Sequence, residues 1–217
     1  GLVVFDGIWP DERVYIAIRA AIHDAGWDQE KIVKYVMTHG HIDHVGCGKW
    51  LVDNHRVTTY LSKPDDELRL AQPHEENRSD CWKAFKIDGY LHDGDEIDCG
   101  DKSIKVIGTP GHTPGCMSFV FPVDDCGEKH LVALFGGATP PWNDIKGKQQ
   151  QIESVEKFRK AVKSNHVDTL LTNHTAMDNG LERIAYSKAR MSFLPNIYVL
   201  GEVGAQKFCD VFRAVAE

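Results

Sequence analysis

The 217-residue sequence contains no Cys-x-x-Cys pair, no long apolar run, no block of basic residues and no repeated or low-complexity segment. Six cysteines stand far apart, at positions 47, 81, 99, 116, 126 and 209, which excludes both a disulfide framework and a structural zinc clip. No apolar stretch approaches the roughly 20 residues that cross a bilayer, and nothing near Gly1 has the charged and apolar regions of a signal peptide. Twenty-five basic residues face 32 acidic ones, a formal charge of -7. An acidic chain without a basic cluster is poorly suited to a phosphate backbone. Membrane and nucleic acid are therefore not expected partners, which leaves a small molecule. The hydrophobic share of 42% and charged share of 26% are those of a globular chain, not of a disordered, collagen-like or coiled-coil one. The length suits one domain spanning 1–217.

What the chain has in excess is histidine. There are 11, about twice the number expected at this length.

Hydrophobic periodicity predicts alternating strands and helices. Leu2 to Phe5 reads as a strand ending in the turn Asp6-Gly7, and Pro10-Asp11 opens a helix with Val14, Ile18, Ala21 and Ile22 on one face. Strand Ile32 to Thr38, helix Val45 to Asn54, strand Val57 to Leu61 and helix Pro64 to Leu70 follow, then a polar loop from Gln72 to Ser79. The middle is all strand: Glu96 to Asp98, Ile104 to Gly108, Met117 to Phe121 and Leu131 to Phe135. Helix Gln150 to Ser164, strand Val167 to Leu171 and helices Leu181 to Met191 and Ala205 to Ala216 complete the chain. Two blocks of sheet flanked by helices imply a layered α/β architecture.

The chemistry concentrates in Thr38-His39-Gly40-His41-Ile42-Asp43-His44, directly after an apolar strand. His39 and His41 alternate with Gly40, so in extended backbone they point to one side. Asp43 and His44 follow at the start of a helix and can turn toward a second metal ion. Imidazole together with carboxylate suits zinc better than magnesium or calcium, which take oxygen alone. Two more histidines follow strands: His112 in Thr109-Pro110-Gly111-His112-Thr113-Pro114-Gly115, and His174 in Thr172-Asn173-His174. Three strand ends each delivering histidine is the arrangement of one site at one edge of a fold. His23, His55, His74, His92, His130 and His166 read as surface histidines, Cys47 and Cys116 as small buried hydrophobes before metal-sensing thiols, and Trp82 and Trp142 equally as walls for an apolar substrate or as core or rim packing. Glu153, Glu156, Lys157 and Lys160 read as a solvated helix face with i,i+4 pairs.

On these motifs the chain resembles the metallo-β-lactamase superfamily, and most closely the third subclass of zinc β-lactamases, with its His-x-His-x-Asp-His signature. It is similar also to fungal and bacterial hydrolases of that type. The resemblance implies a four-layered αββα sandwich and two Zn2+ ions per chain. It assigns the first ion to His39, His41 and His112, and the second to Asp43, His44 and His174. It further implies hydrolysis of a carbonyl bond by a metal-bound hydroxide that Asp43 orients.

Three departures shape the expectation. Glyoxalase II, RNase Z and flavodiiron proteins carry a bridging aspartate after the strand that here ends Leu134-Phe135, where this chain has Gly136-Gly137-Ala138. That disfavours those relatives; Asp144, seven residues past Gly137, is too far along the chain to be read as a replacement. Where the lactamase subclass grips a drug carboxylate with hydroxyl residues, this chain offers only Thr139. Family members also carry roughly fifty residues ahead of the Asp-Gly strand, so the outer N-terminal strands of the sandwich are expected to be lacking. Three readings result: a di-zinc hydrolase of a β-lactam or related lactam, a lactonase or thioesterase of the same fold, and an inactive metal-binding or structural domain.

Overall fold

The computed structural model describes residues 1–72, 83–141, 143–191 and 193–217. Trp82, Trp142, His74 and nearly all of the expected polar loop lie outside the described residues. The chain divides into two compact units, Gly1–Leu91 and His92–Glu217.

The first unit is built on four parallel strands in sequence order: β1 (Leu2–Phe5), β2 (Ile32–Val36), β3 (Thr58–Leu61) and β4 (Gly89–Tyr90). Between β1 and β2, helix α1 (Glu12–Asp24) starts where the Asp11 carboxylate accepts from the Arg13 N–H. It ends where Gly26 takes φ +73°. Helix α4 (Lys63–Leu70) is capped by Ser62 and follows β3. The core collects Ile22, Ile32, Tyr35, Met37, Val45, Cys47, Leu51, Leu61, Phe85 and Ile87.

The helix expected over Val45 to Asn54 is two helices, α2 (Ile42–Val45) and α3 (Gly48–Asn54). Between them the Gly46 N–H donates to the Ile8 carbonyl and the Cys47 N–H to that of Gly7, so the i to i-4 ladder is interrupted by the chain leaving β1. Gly46 also packs against the backbone at Ile8 and Pro10, too closely for a side chain.

In the second unit, β5 (Glu96–Asp98), β6 (Ser103–Gly108), β7 (Met117–Asp125) and β8 (Glu128–Phe135) pair antiparallel in order, and β9 (Thr169–Thr172) adds parallel to β8. The β7–β8 hairpin runs further than the sequence pattern shows, because Cys126 and Gly127 (φ +56° and +94°) form a tight two-residue turn. Helices α5 (Ile145–Ser164), α6 (Gly180–Ala189) and α7 (Gly201–Ala216) complete this unit. Its core is Phe135, Val155, Phe158, Leu170 and Phe212 with their neighbours, the Phe135 and Phe212 rings stacking at 4.7 Å between centroids.

Asp144 caps α5, its exposed carboxylate accepting from the Lys146 N–H. One smaller expectation is corrected. Glu156 and Lys157 reach off their helix, to Arg213 at 2.8 Å and Asp93 at 2.6 Å, instead of pairing along it. Among the described residues no helix is long and apolar enough to cross a membrane.

Candidate metal centre

The parallel register sets Phe5 beside Val36, so the carboxyl end of β1 lies next to the chain leaving β2. Asp6 occupies a left-handed conformation, φ +52°, which Asp and Asn tolerate better than other side chains. Its carboxylate, only 11% exposed, turns onto the histidine loop. Oδ1 accepts from the Thr38 N–H at 2.8 Å; Oδ2 accepts from the Thr38 hydroxyl and from His44 Nδ1, both at 2.8 Å.

Proton bookkeeping through this network fixes two tautomers. The Thr38 hydroxyl has one proton and gives it to Asp6, so its 2.9 Å contact with His39 Nδ1 requires His39 to be the donor. His39 and His44 therefore both carry a proton on Nδ1, which leaves Nε2 as the nitrogen of each that could ligate.

The loop itself is braced by α4. The Asp65 carboxylate accepts the Gly40 N–H at 2.9 Å, and Gln72 both donates to the Gly40 carbonyl and accepts from the Ile42 N–H at 3.1 Å. Tyr35, wholly buried, donates to the His44 carbonyl at 2.8 Å. Within this frame His39 and His41 meet edge to face at 4.9 Å, with a ring nitrogen of each inside 4.8 Å of the other. Asp43 Oδ2 lies 3.4 Å from His44 Nε2. Burial opposes a charge on His44, but the Asp6 and Asp43 carboxylates outweigh it and push its pKa up to about 9.

In the second unit His112 and His174 belong to the same sheet edge. Register places Gly108 opposite Met117, and Phe135 opposite Thr172, so the loops leaving β6, β8 and β9 share that edge. The His112 loop is bound to α5: Ser154 Oγ donates to the Pro110 carbonyl at 2.6 Å, and Lys157 Nζ to that of Gly108 at 2.9 Å. Gly111 (φ +140°) allows this approach, since a Cβ there would lie 2.6 Å from Gln151 Cα. His112 Nδ1 lies 2.7 Å from the Thr139 carbonyl. A carbonyl only accepts, so Nδ1 again holds the proton and Nε2 the lone pair.

The Gly136-Gly137-Ala138 segment gains a physical reason here. A Cβ on Gly137 would lie 2.6 Å from His112 Cβ and 2.8 Å from Cys116 Sγ, so the histidine loop occupies the space of a side chain. His174 follows β9, with Asn173 Nδ2 donating to the Gly136 carbonyl. Of the remaining histidines, His23, His92 and His166 are exposed as expected. His130 and His55 are partly buried, bonded to Asp168 at 2.6 Å and to Tyr15 at 3.0 Å. Cys47 and Cys116 are fully buried, and burial pushes the Cys47 thiol up to about 12.

Sequence reading missed the role of Asp6, which looked like a turn residue, and of Asp65 and Gln72. The signal for Asp6 was an acidic residue closing the strand beside the histidine-bearing one. Asp65 in a first helical turn has no such signal.

The sequence profile of the metallo-beta-lactamase superfamily matches residues 1–126. A curated relative, the hydroxyacylglutathione hydrolase GloC of Haemophilus influenzae, is 27% identical over 130 residues, 52% of this chain and 58% of that protein. The matches span less than two thirds of the length of the curated relatives. Among solved structures, BJP-1, a subclass B3 metallo-beta-lactamase of Bradyrhizobium japonicum, superposes with a TM-score of 0.75 at 22% identity, covering 99% of this chain and 81% of that one. The FEZ-1 metallo-beta-lactamase from Legionella gormanii gives 0.79 at 18% identity, covering 99% and 83%. These likenesses establish the α/β fold, and the profile covers more than half of the sequence: the chain belongs to the metallo-beta-lactamase superfamily of metallo-hydrolases.

Proposed function

We propose that the chain is a zinc-dependent hydrolase that cleaves a carbonyl bond, the amide of a β-lactam or related lactam, on a pair of metal ions. His39, His41 and His112 would hold one ion, and Asp43, His44 and His174 the other. The observation that carries this reading is the pattern of hydrogen bonds to the histidine Nδ1 atoms. In His39, His44 and His112 a hydrogen bond fixes the proton on Nδ1, so three histidines drawn from both sets present Nε2 as the ligand atom. Imidazole with one carboxylate is a donor set for zinc.

Bound there, zinc supplies Lewis acidity toward a carbonyl oxygen and acidifies water at neutral pH. The protein's part is to hold geometry and protons. Asp6 fixes the tautomers of His39 and His44, the Thr139 carbonyl fixes that of His112, and Asp43 orients the attacking water besides ligating. Gly137, lacking a side chain, leaves the room that the His112 loop occupies.

A second reading, thioester hydrolysis, is favoured by the relation to a hydroxyacylglutathione hydrolase. The zinc-loaded chain and its His41→Ala variant, assayed on nitrocefin, a γ-lactam, a lactone and a thioester, separate the two. The proposal expects lactam turnover that chelation and His41→Ala abolish. Thioester turnover without lactam turnover moves the assignment to the second reading. No turnover by a zinc-replete chain supports a metal-binding domain without activity.

A further inference from the structure

The loop that brings His174 to the edge of its sheet leaves β9 after Thr172 and returns at α6, closed by the Met177 N–H on the His174 carbonyl (3.0 Å) and the Gly180 N–H on the Thr175 carbonyl (2.8 Å). Two bonds tie it to the strand end, and both converge on Thr172. The Thr172 hydroxyl donates to the His174 carbonyl at 2.7 Å, and its N–H donates to Asp178 Oδ2 at 3.2 Å. Asp178 is 8% exposed, and its second oxygen has no hydrogen-bond donor among the described residues. Its charge is offset by Arg183, 7% exposed, which lies 3.9 Å from Oδ2, donates to the Asp178 carbonyl at 3.3 Å and sits 4.2 Å over the Tyr198 ring.

A buried ion pair with one unsatisfied oxygen is a poor stabilising device, since desolvation offsets much of the attraction. Nor does this carboxylate cap α6, whose first turn has no side-chain cap bond. What it does is reach from the far end of the loop back to the strand, so that His174 is bracketed between two bonds to one residue.

We infer that Asp178 and Thr172 are positioning residues for His174, holding its backbone so that the imidazole meets the second metal ion. The inference rests on the reading of His174 as a ligand. The test uses the full chain freed of metal and titrated with zinc against a chromophoric chelator, as wild type, Asp178→Ala, Asp178→Asn, Thr172→Val and His174→Ala. Wild type is expected to bind two ions. Asp178→Ala is expected to bind the first as tightly as wild type and the second about 10- to 100-fold more weakly. Thr172→Val shifts the second ion in the same direction by less, and carries the test if Asp178→Ala does not fold. Asp178→Asn keeps an oxygen for the Thr172 N–H while leaving Arg183 without its counter-charge. Recovery of the second ion in that variant therefore marks positioning and not general stability. Asp178→Ala and Thr172→Val both binding two ions with wild-type affinity would overturn the inference. A wild-type chain that binds no second ion, matched by His174→Ala, would overturn the ligand assignment beneath it.

Discussion

Asp6→Asn is the most informative single substitution in the histidine network. Asparagine tolerates the left-handed backbone of position 6 and keeps one oxygen for the Thr38 N–H, so the turn survives. The NH2 group replaces Oδ2, the atom that now accepts from both the Thr38 hydroxyl and His44 Nδ1 at 2.8 Å. Donor then faces two donors. Relief requires His44 to give up its Nδ1 proton, and the Thr38 hydroxyl to turn and donate to His39 Nδ1. Both rings then carry their proton on Nε2, the atom that should ligate. One atom exchanged thus sets the wrong tautomer in a histidine of each proposed ligand set. Loss of such an orienting partner costs about 10- to 100-fold in metal affinity, or roughly 1.4–2.7 kcal/mol per ion. Chelator competition on the metal-free variant measures it, and both ions are expected to weaken. Two ions bound at wild-type affinity would refute the assignment of Asp6 as the tautomer-setting group.

The remaining predictions concern pH and packing. In metal-free protein the folded pKa of His44, about 9, lies above the unfolded value of 6.5, so its contribution is fully present below pH 6.5 and disappears as pH rises through 9. The shift corresponds to about 3 kcal/mol. Urea unfolding with chelator present, at pH 6.5 and pH 9.5, is expected to show the loss in wild type and not in His44→Ala; equal pH dependence in both would contradict it. Gly137→Ala is expected to destabilise the chain by about 1–3 kcal/mol and weaken the ion held by His112, because its Cβ falls 2.6 Å from that of His112. An unchanged urea midpoint would count against that packing.

Much of the fold is legible from periodicity because its strands are bounded by turns and its helices by caps. β1, α4 and β5 begin and end within a residue of the expected Leu2 to Phe5, Pro64 to Leu70 and Glu96 to Asp98, and α1 begins directly after Asp11. The errors fall where distant backbone intervenes. Nothing local to Val45–Asn54 reports that Ile8 and Gly7 take the N–H groups of Gly46 and Cys47. The start of α5 at Ile145, five residues before the expected Gln150, follows from the Asp144 cap at the end of a proline-rich loop without apolar periodicity.

The site shows the same division. Histidine and aspartate at close spacing after a strand point to metal chemistry by residue type alone, and the structure groups them as donors that could hold an ion. The groups that orient them do not, because Asp6, Asp65, Gln72 and the Thr139 carbonyl act through register and loop packing. Gly137 is the sharpest case: its sequence meaning is the absence of a ligand, and its structural meaning is the room that the His112 loop needs.

The central claim is tested most directly by anomalous diffraction at the zinc edge from crystals of the zinc-loaded chain. The account predicts two peaks, about 3.5–4 Å apart as in two-metal hydrolytic sites. One would be bonded to Nε2 of His39 and His112 with His41, the other to Asp43, Nε2 of His44 and His174. A peak lacking His112 or His174, or zinc bound elsewhere on the chain, would contradict it.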